Sequence, residues 1–189
     1  MDTVRIGIVG VGNMGSVHLG FFADGKIAGA KVTALADTNA EKLRQACRRY
    51  PDRYALYDSG EALIDNADVD AVLIATPHYS HPALGMRAFA RGLHVLSEKP
   101  TGVHALQAAQ LNESAEKSGK LFGVMLNQRA NPLHMRLHAL MQEGAVGELK
   151  SVRWIVTNWY RTQHYYDAGG WRATWAGEGG GVLINQAVH

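Results

Sequence analysis

Lys99 is a side chain of this sequence that could move a proton on and off a hydroxyl group. Lys99 lies between Glu98 and Pro100, directly after an apolar segment that predicts a strand, and ligands bind at such strand ends. Desolvation there lowers a lysine pKa, so the amine can bind a substrate hydroxyl and assist proton transfer. His189 follows Asn185 by four residues, which predicts one shared helix face. The alternatives are a surface ion pair of Glu98 with Lys99 and two exposed residues at a frayed chain end.

A glycine motif near the start predicts a dinucleotide site. Gly10 permits a tight turn after the apolar segment 4–9, Gly12 lets the backbone approach a pyrophosphate, and Gly15 lets the next helix pack on the sheet. The amides at the start of that helix would face the anion. Met14, Val17 and Phe21 are expected to form its apolar stripe. The residues predicted to hold the cofactor here are Gly10, Gly12, Asn13, Met14 and Gly15.

Asp37 points to the kind of dinucleotide. It ends the second predicted strand, 31–36, and lies 22 residues after Gly15. A carboxylate at that point can accept both ribose hydroxyls of an adenosine and repels a 2′-phosphate, and neither Thr38 nor Asn39 supplies a cation. The sequence therefore predicts NAD as the cofactor, with NADP disfavoured. The alternative is a set of glycines that only form a turn, beside a solvated aspartate.

Strands and helices alternate through the first two thirds of the chain. This order predicts the α/β class, with a doubly wound parallel sheet over residues 1–125. The predicted strands are 4–9, 31–36, 54–57, 71–75, 93–97 and 120–125. The helices predicted after the second strand are 40–50, 61–66, 82–91 and 103–118. Side chains after the strands are expected to contact the cofactor, namely Thr76, Pro77, His78, His81, Glu98 and Lys99, with Asn127 beyond the sixth strand.

Residues 126–189 have a different character. They predict a crossover followed by the beginning of a second, α+β domain. Leu133, Leu137, Leu140 and Met141 predict an amphipathic helix that ends near Gly144. The stretch 148–160 is rich in β-prone residues and predicts the opening strand of a second sheet.

Aromatic and arginine side chains of this second segment could form a sugar site. All four tryptophans lie after residue 150, and aromatic faces stack on the apolar faces of a pyranose while arginine donates to hydroxyls. For the tryptophans, including Trp159, the core of the second sheet is the alternative. The candidates for substrate binding are Arg129, Tyr160, Arg161, Trp171 and Arg172.

Composition excludes several classes of protein. The 189 residues carry a formal net charge of +2 without a basic run, so no nucleic-acid partner is expected. No apolar run approaches the roughly 20 residues that span a bilayer, and a strand that begins by Val4 leaves no room for a signal peptide, so we expect a cytoplasmic protein with no membrane contact. His134 and His138 are four apart but lack a third ligand, so no metal site is predicted.

Four motifs together carry a family resemblance. They are Gly10-x-Gly12-x-x-Gly15, Ala75-Thr76-Pro77 with His81, Glu98-Lys99-Pro100, and Gly179-Gly180-Gly181 followed by Asn185-x-x-x-His189. In order and spacing they resemble the Gfo/Idh/MocA oxidoreductases, the superfamily of glucose-fructose oxidoreductase and inositol 2-dehydrogenase. The resemblance implies a Rossmann domain and a nicotinamide-dependent dehydrogenase that acts on a sugar or polyol.

The resemblance also implies roles for single residues. Lys99 matches the family lysine that contacts the reacting hydroxyl, with a cis bond to Pro100. His189 matches the histidine of the D-x-x-x-H motif, which has the acid–base role. Asn185 stands where that motif has aspartate, so it can orient an imidazole but cannot stabilise an imidazolium by charge.

Family members are considerably longer than this chain, which implies a truncated form that lacks most of the second domain. In the full-length form we expect a homo-oligomer. Two alternatives remain open at this point: an NAD-dependent glycosidase of the same superfamily, and a catalytically silent nucleotide-binding fragment.

Overall fold

Six parallel strands form one sheet in the computed structural model, which describes residues 3–51, 53–155, 157, 160–167 and 170–189. The strands are β1 (Val4–Val9), β2 (Ala30–Ala36), β3 (Ala55–Tyr57), β4 (Ala71–Ile74), β5 (His94–Ser97) and β6 (Phe122–Val124). Their spatial order is β3-β2-β1-β4-β5-β6, with every pair parallel. The order reverses between β1 and β4, the point where ligands bind in such sheets. The predicted doubly wound sheet is confirmed.

Five helices connect these strands. They are α1 (Asn13–Ala23), α2 (Ala40–Arg49), α3 (Gly60–Asn66), α4 (His81–Ala90) and α5 (Ala105–Ser118). Local chemistry sets their ends: Asn39 and Ser59 cap α2 and α3 by accepting first-turn amides. Pro82 lies in the first turn of α4, as predicted, and Gly119 ends α5 in the left-handed conformation.

The sheet is buried on both faces. Ile8, Leu35 and Leu73 belong to the cluster on one face, together with Leu19 of α1. The cluster on the other face includes Val9, Val72 and Ile74 of the strands with Leu84 and Phe89 of α4. Neighbouring positions of one strand alternate between these clusters, as a parallel sheet covered on both sides requires.

The apolar stripe predicted for α1 is wrong. Met14, Val17 and Phe21 are 44%, 45% and 41% exposed, whereas Gly15 and Leu19 are buried. The buried face of α1 is instead the one that carries Gly15 and Leu19. Gly15 packs against the carbonyl of Gly10, and Leu19 lies four residues later on the same helix face. A contact within the glycine motif therefore decides which side of α1 meets the sheet.

The chain divides into two compact units, Met1–Met125 and Leu126–His189. The second unit contains α6 (Pro132–Gln142), α7 (Gln163–Asp167), α8 (Trp175–Glu178) and α9 (Val182–Asn185). The helix predicted from Leu133 onwards is confirmed as α6. The strand predicted at 148–160 is wrong for every described residue of that stretch; Val156, Asn158 and Trp159 lie outside the described residues. β-propensity mainly reports packing on neighbouring strands, and the described part of this unit contains none.

No helix within the described ranges is long and apolar enough to cross a membrane.

Hydrogen bonds between Arg5 and Asp70 join the start of β1 to the start of β4. They predict that the fold loses stability in acid. The Asp70 carboxylate accepts from the Arg5 backbone amide (2.8 Å), Nε (3.1 Å) and an Nη (2.7 Å). These bonds lower the pKa of Asp70 from 3.8 to about 2. A depressed carboxyl pKa stabilises the fold above the unfolded-state value, and this stabilisation is lost as pH falls from about 3.8 towards 2.

We therefore expect Asp70→Asn to lower the free energy of unfolding at pH 6. Between pH 4 and pH 2 this free energy should decrease less in the variant than in the parent protein. Urea unfolding at a series of pH values measures this. Asp24→Asn is the matched control. Among the described residues the Asp24 carboxylate forms only an exposed ion pair with Lys26, so its loss should change stability by less than about 0.5 kcal/mol. An Asp70→Asn protein as stable as the parent at pH 6 would contradict the assignment.

Candidate active site

The glycine loop between β1 and α1 is shaped by two contacts that exclude side chains. Gly10 has φ 90°, and a Cβ there would lie 2.8 Å from the Ala75 carbonyl oxygen. A Cβ on Gly15 would lie 1.8 Å from the carbonyl oxygen of Gly10. By contrast, among the described residues a Cβ on Gly12 would reach only Lys42 Nζ, at 4.0 Å. The loop is therefore packed at Gly10 and Gly15 and open above Gly12.

The start of α1 is suited to an anion. Gly12 occupies the N-cap, so no side chain caps the first-turn amides, which remain directed out of the helix end. Asn13 and Met14 open the helix and are exposed. The helix start thus fits an anionic group such as the pyrophosphate of a dinucleotide, and the contacts predicted for Gly12, Asn13 and Met14 stay predictions.

Asp37 has a role in the loop that the sequence did not reveal. Its Oδ2 accepts from the Val11 amide at 3.0 Å, and its Oδ1 accepts from the Asn39 amide at 2.9 Å. The carboxylate therefore fastens the glycine loop to the segment that starts α2. Each oxygen keeps a second lone pair, so the predicted contact with ribose hydroxyls remains possible and stays a prediction.

The segment after β4 carries Thr76, Pro77 and His78. His78 begins a short 3₁₀ helix, His78–Ser80, and is buried. Ser80 Oγ donates to Thr76 Oγ1 at 2.6 Å, which closes the turn. The cofactor contacts predicted for these residues stay predictions.

His81 contacts two loops at the carboxyl edge of the sheet. It is fully buried, with Nδ1 2.7 Å from the Pro100 carbonyl oxygen and Nε2 2.7 Å from the Thr76 carbonyl oxygen. His81 thereby joins two loops, and the cofactor contact predicted for it stays a prediction. Burial lowers the pKa of His81, and the two carbonyl contacts oppose that shift.

Glu98 forms a buried pair with a residue that sequence reasoning missed. Its Oε1 lies 2.8 Å from Nε2 of His18 on α1, and both side chains are buried. The alternative of a surface ion pair with Lys99 is therefore wrong, and the cofactor contact predicted for Glu98 stays a prediction. His18 lies three residues after Gly15 and therefore on the same face of α1. It could have been found if Gly15 had been known to face the sheet.

Hydrogen-bonding contacts hold the backbone on either side of Lys99 in place. The Glu98 amide donates to the Ile74 carbonyl at 2.8 Å, and the Pro100 carbonyl oxygen contacts His81. The Lys99–Pro100 bond is cis, as the resemblance implied. Lys99 itself is half-buried at the carboxyl end of β5, next to the segment after β4.

In the second unit, Asn185 contacts a carboxylate that the sequence analysis did not select. Asn185 Nδ2 donates to Glu178 Oε1 at 2.7 Å, and Glu178 is only 7% exposed. The expectation that Asn185 and His189 share a helix is wrong, because α9 ends at Asn185. The amides of Gln186 and Ala187 both bond to the Val182 carbonyl, at 2.9 and 2.8 Å, and this sharing ends the α-helical pattern.

The sugar-site candidates are partly brought together. The guanidinium groups of Arg161 and Arg172 lie 4.4 and 4.2 Å from the ring centre of Tyr165, which sequence reasoning missed. Arg172 also lies 4.8 Å from the Trp171 ring and donates to the Tyr165 hydroxyl. Tyr160 is 84% exposed.

Asn127 and Arg129 belong to a separate element of the second unit, the 3₁₀ helix Asn127–Ala130, and both are exposed. Their predicted contacts with cofactor and substrate stay predictions. Within the described ranges, no group of three or more His, Cys, Asp or Glu side chains could hold a metal ion.

Family models match both units. The model described as "Oxidoreductase family, NAD-binding Rossmann fold" matches residues 4–126, and the "GFO/IDH/MocA C-terminal domain" matches residues 134–189. The chain belongs to the GFO/IDH/MocA oxidoreductase family.

Several of the named relatives are dehydrogenases. The chain is 34% identical to an inositol 2-dehydrogenase from Arthrobacter sp. (strain FB24) over 149 residues, 78% of this chain and 44% of the relative. The fold matches the WlbA dehydrogenase from Bordetella pertussis in complex with NADH and UDP-GlcNAcA, with TM-score 0.85, 26% identity and coverage of 98% of this chain and 52% of that one. It also matches scyllo-inositol dehydrogenase from Lactobacillus casei with bound NAD(H) and scyllo-inositol, with TM-score 0.72, 28% identity and coverage of 78% and 43%. The chain thus spans about half the length of the relatives it matches.

Proposed function

We propose that this protein is an NAD-dependent oxidoreductase that removes hydrogen from, or returns it to, a hydroxyl-bearing carbon of a sugar or polyol. The observation that carries the proposal is the setting of Lys99. It is a half-buried amine on a rigid backbone, at the same sheet edge as a glycine loop that is open above Gly12. Family membership and the NADH-bound relatives support the same function.

The geometry of the first unit supports a set of residues that would hold the cofactor. The amides at the start of α1 would bind the pyrophosphate, Asp37 would accept the adenosine ribose hydroxyls, and Thr76, Pro77 and His78 would border the nicotinamide half. Bound NAD supplies the hydride acceptor. Asn127 is proposed as a further cofactor contact.

Lys99 and His189 are proposed to manage the hydroxyl proton. Lys99 would donate a hydrogen bond to the substrate oxygen and so favour loss of its proton, and His189 would accept or return that proton as an acid–base group. The fixed peptide groups around Lys99 keep its backbone in place, which reduces the entropy lost on positioning the amine.

The substrate class is proposed from the second unit. Tyr165 and Trp171 place aromatic rings beside the N–H donors of Arg161, which lies over Tyr165, and of Arg172, which lies over both rings. This combination suits a polyhydroxylated ring. The relatives suggest inositols and nucleotide-linked sugars as first compounds to assay.

Cofactor preference gives a direct prediction. Asp37 would face a 2′-phosphate as a like charge, so we expect NAD to bind at least about 10-fold more tightly than NADP, as measured by calorimetry. Lys42 near Gly12 is the cation that could reduce this preference, so Lys42→Gln should widen it. NADP that binds as tightly as NAD would contradict the role of Asp37.

An assay of NADH formation with a panel of inositols, hexoses and UDP-sugars tests the proposed activity. NADH that appears only with a hydroxylated substrate supports it. Release of a free sugar without net NADH would identify a glycosidase instead. Tight NAD binding without turnover on the whole panel would contradict the proposal and favour a silent nucleotide-binding protein.

A further inference from the structure

His18 and Glu98 form a buried pair that the proposed mechanism does not use. The Nε2 atom of His18 lies 2.8 Å from Oε1 of Glu98, and each residue is only 7% exposed. A buried carboxylate is costly unless it is paired or hydrogen-bonded, and a buried imidazole N–H needs an acceptor. The contact satisfies both groups, so the two side chains hold each other in place.

The contact connects the two elements that carry the proposed chemistry. His18 lies on the buried face of α1 together with Gly15 and Leu19, and the start of this helix is the proposed pyrophosphate site. Glu98 directly follows β5 and directly precedes Lys99. Although the two residues are 80 positions apart in the sequence, the pair joins the cofactor helix to the neighbour of the proposed proton-transfer amine.

The segment that carries Lys99 has three anchors. The Glu98 amide donates to the Ile74 carbonyl at 2.8 Å, which attaches the segment to β4. The Pro100 carbonyl oxygen lies 2.7 Å from Nδ1 of His81, which attaches it to α4. The side chain of Glu98 provides the third anchor, on α1. This third anchor is the one that relates the segment to the cofactor helix.

The charges of Glu98 and Lys99 act on the same buried ring. Burial is the largest cause that lowers the pKa of His81, and among the smaller causes the charge of Glu98 raises this pKa while that of Lys99 lowers it. Two charges that both influence one buried group lie in a common region of low dielectric. A displacement of the Glu98 carboxylate therefore changes the surroundings of the Lys99 amine as well as its backbone.

We propose that His18 and Glu98 are positioning residues for the reaction. Their contact fixes the segment that carries Lys99 to α1, and it thereby sets the place of the amine relative to a cofactor bound at the start of that helix. The proposal rests on the proposed role of Lys99. A displaced proton-transfer group slows the chemical step more than it weakens binding, so the contact should affect kcat more than KM.

Variants of Glu98 test the proposal. Glu98→Ala removes the contact and leaves a histidine, which can be neutral, so no unpaired charge stays buried. We expect kcat to fall by about 10-fold or more, while KM and NAD affinity change by less than about 3-fold. Glu98→Gln keeps an acceptor oxygen for the His18 N–H and should stay within about 3-fold of the parent kcat. A loss of NAD affinity in Glu98→Ala as large as the loss of kcat would overturn the proposal and make Glu98 a cofactor-binding residue.

Asp70→Asn is the matched control, because it also removes a charge from a hydrogen-bonded contact between two elements of the first unit. Asp70 lies at the start of β4, whereas Lys99 follows the carboxyl end of β5. This control should therefore lower stability and leave kcat unchanged. A fall in kcat in Asp70→Asn as large as that in Glu98→Ala would overturn the proposal, because kcat would then follow stability alone.

A double variant separates positioning from stability, and it decides if Glu98→Ala fails to fold. His18→Leu/Glu98→Leu replaces the pair by two apolar side chains, and such replacements of buried ion pairs often keep or raise stability. A folded double variant whose kcat is lower by about 10-fold or more supports the proposal, because the core is filled while the anchor is lost. A double variant with the parent kcat would overturn it, because the contact would then serve stability only.

Competitive acetylation of the lysines, read by mass spectrometry, provides a measurement that does not depend on turnover. Lys99 is half-buried, and exposed Lys117 is the internal reference. Relative to this reference, Lys99 should react about 3-fold faster or more in Glu98→Ala and in the double variant, because a less firmly held segment opens more often. In Glu98→Gln it should react at the parent rate.

The acetylation result also separates the proposal from the proposed function. Equal labelling of Lys99 in all of these proteins would overturn the proposal, whether or not the protein oxidises a polyol. Failure of the proposed function would instead appear as a parent protein without turnover, in which the labelling of Lys99 still follows the contact between His18 and Glu98.

Discussion

Replacement of Lys99 by alanine is expected to lower kcat/KM for the substrate by about 100-fold or more, with NAD affinity nearly unchanged. Removal of the amine takes away the group that binds the substrate hydroxyl, while the glycine loop, Asp37 and the segment after β4 are left intact. The backbone around position 99 is held by bonds of Ile74 and His81 to its neighbours, so the variant should fold.

Steady-state kinetics and calorimetry with NAD measure the two quantities separately. Lys117→Ala is the control: Lys117 is exposed on α5, pairs with Glu113 at 2.6 Å, and should leave both quantities unchanged. Turnover at the parent rate in Lys99→Ala would remove this lysine from the mechanism. A loss of NAD affinity as large as the loss of kcat/KM would instead make it a cofactor-binding residue.

Gly15→Ala is expected to abolish NAD binding and to lower the free energy of unfolding by about 3 kcal/mol or more. Its Cβ would lie 1.8 Å from the Gly10 carbonyl oxygen, and Gly10 cannot retreat freely because its amide donates to the Ala36 carbonyl at 2.7 Å. The clash must therefore displace α1 or the loop, and both form the proposed cofactor site.

Gly12→Ala is the matched control for this prediction. A Cβ there meets only Lys42 Nζ at 4.0 Å among the described residues, so the fold should keep most of its stability. The methyl group would enter the space proposed for the pyrophosphate, so NAD affinity should still fall by about 10-fold or more. Denaturant unfolding and NAD titration of both variants separate the two effects. Similar stability losses in both would contradict this account of the loop.

Strands of the first unit could be predicted from the sequence because their signals are local. Apolar runs such as 4–9 and 71–75 are followed by turn or helix signals, and the order of elements then determines the parallel sheet. The buried face of α1 could not be predicted from hydrophobic spacing. It is set by the packing of Gly15 on Gly10, which a count of apolar residues does not register.

The motif residues could be predicted as a group from the sequence and stay predictions as a site, whereas the partners they contact in the structure could not be predicted. Lys99 was singled out by a short motif, and the cis bond to Pro100 was implied by the family resemblance of that motif. His18 and Glu98 are 80 positions apart, and no spacing rule relates them. Tyr165 and Glu178 belong to short helices whose packing is not encoded in any local pattern. The strand expected at 148–160 failed in its described part for a related reason, since propensity alone does not provide a neighbouring strand.

The two bonds of Asp37 link cofactor choice to loop architecture. The carboxylate that would select NAD is also the acceptor for the Val11 and Asn39 amides. A shorter or neutral side chain that admits a 2′-phosphate would at the same time leave one or both amides without their acceptor. Engineering of this protein towards NADP therefore requires two coordinated changes, one that receives the extra phosphate and one that secures the loop. Libraries that vary position 37 alone would recover poorly folded variants more often than switched ones.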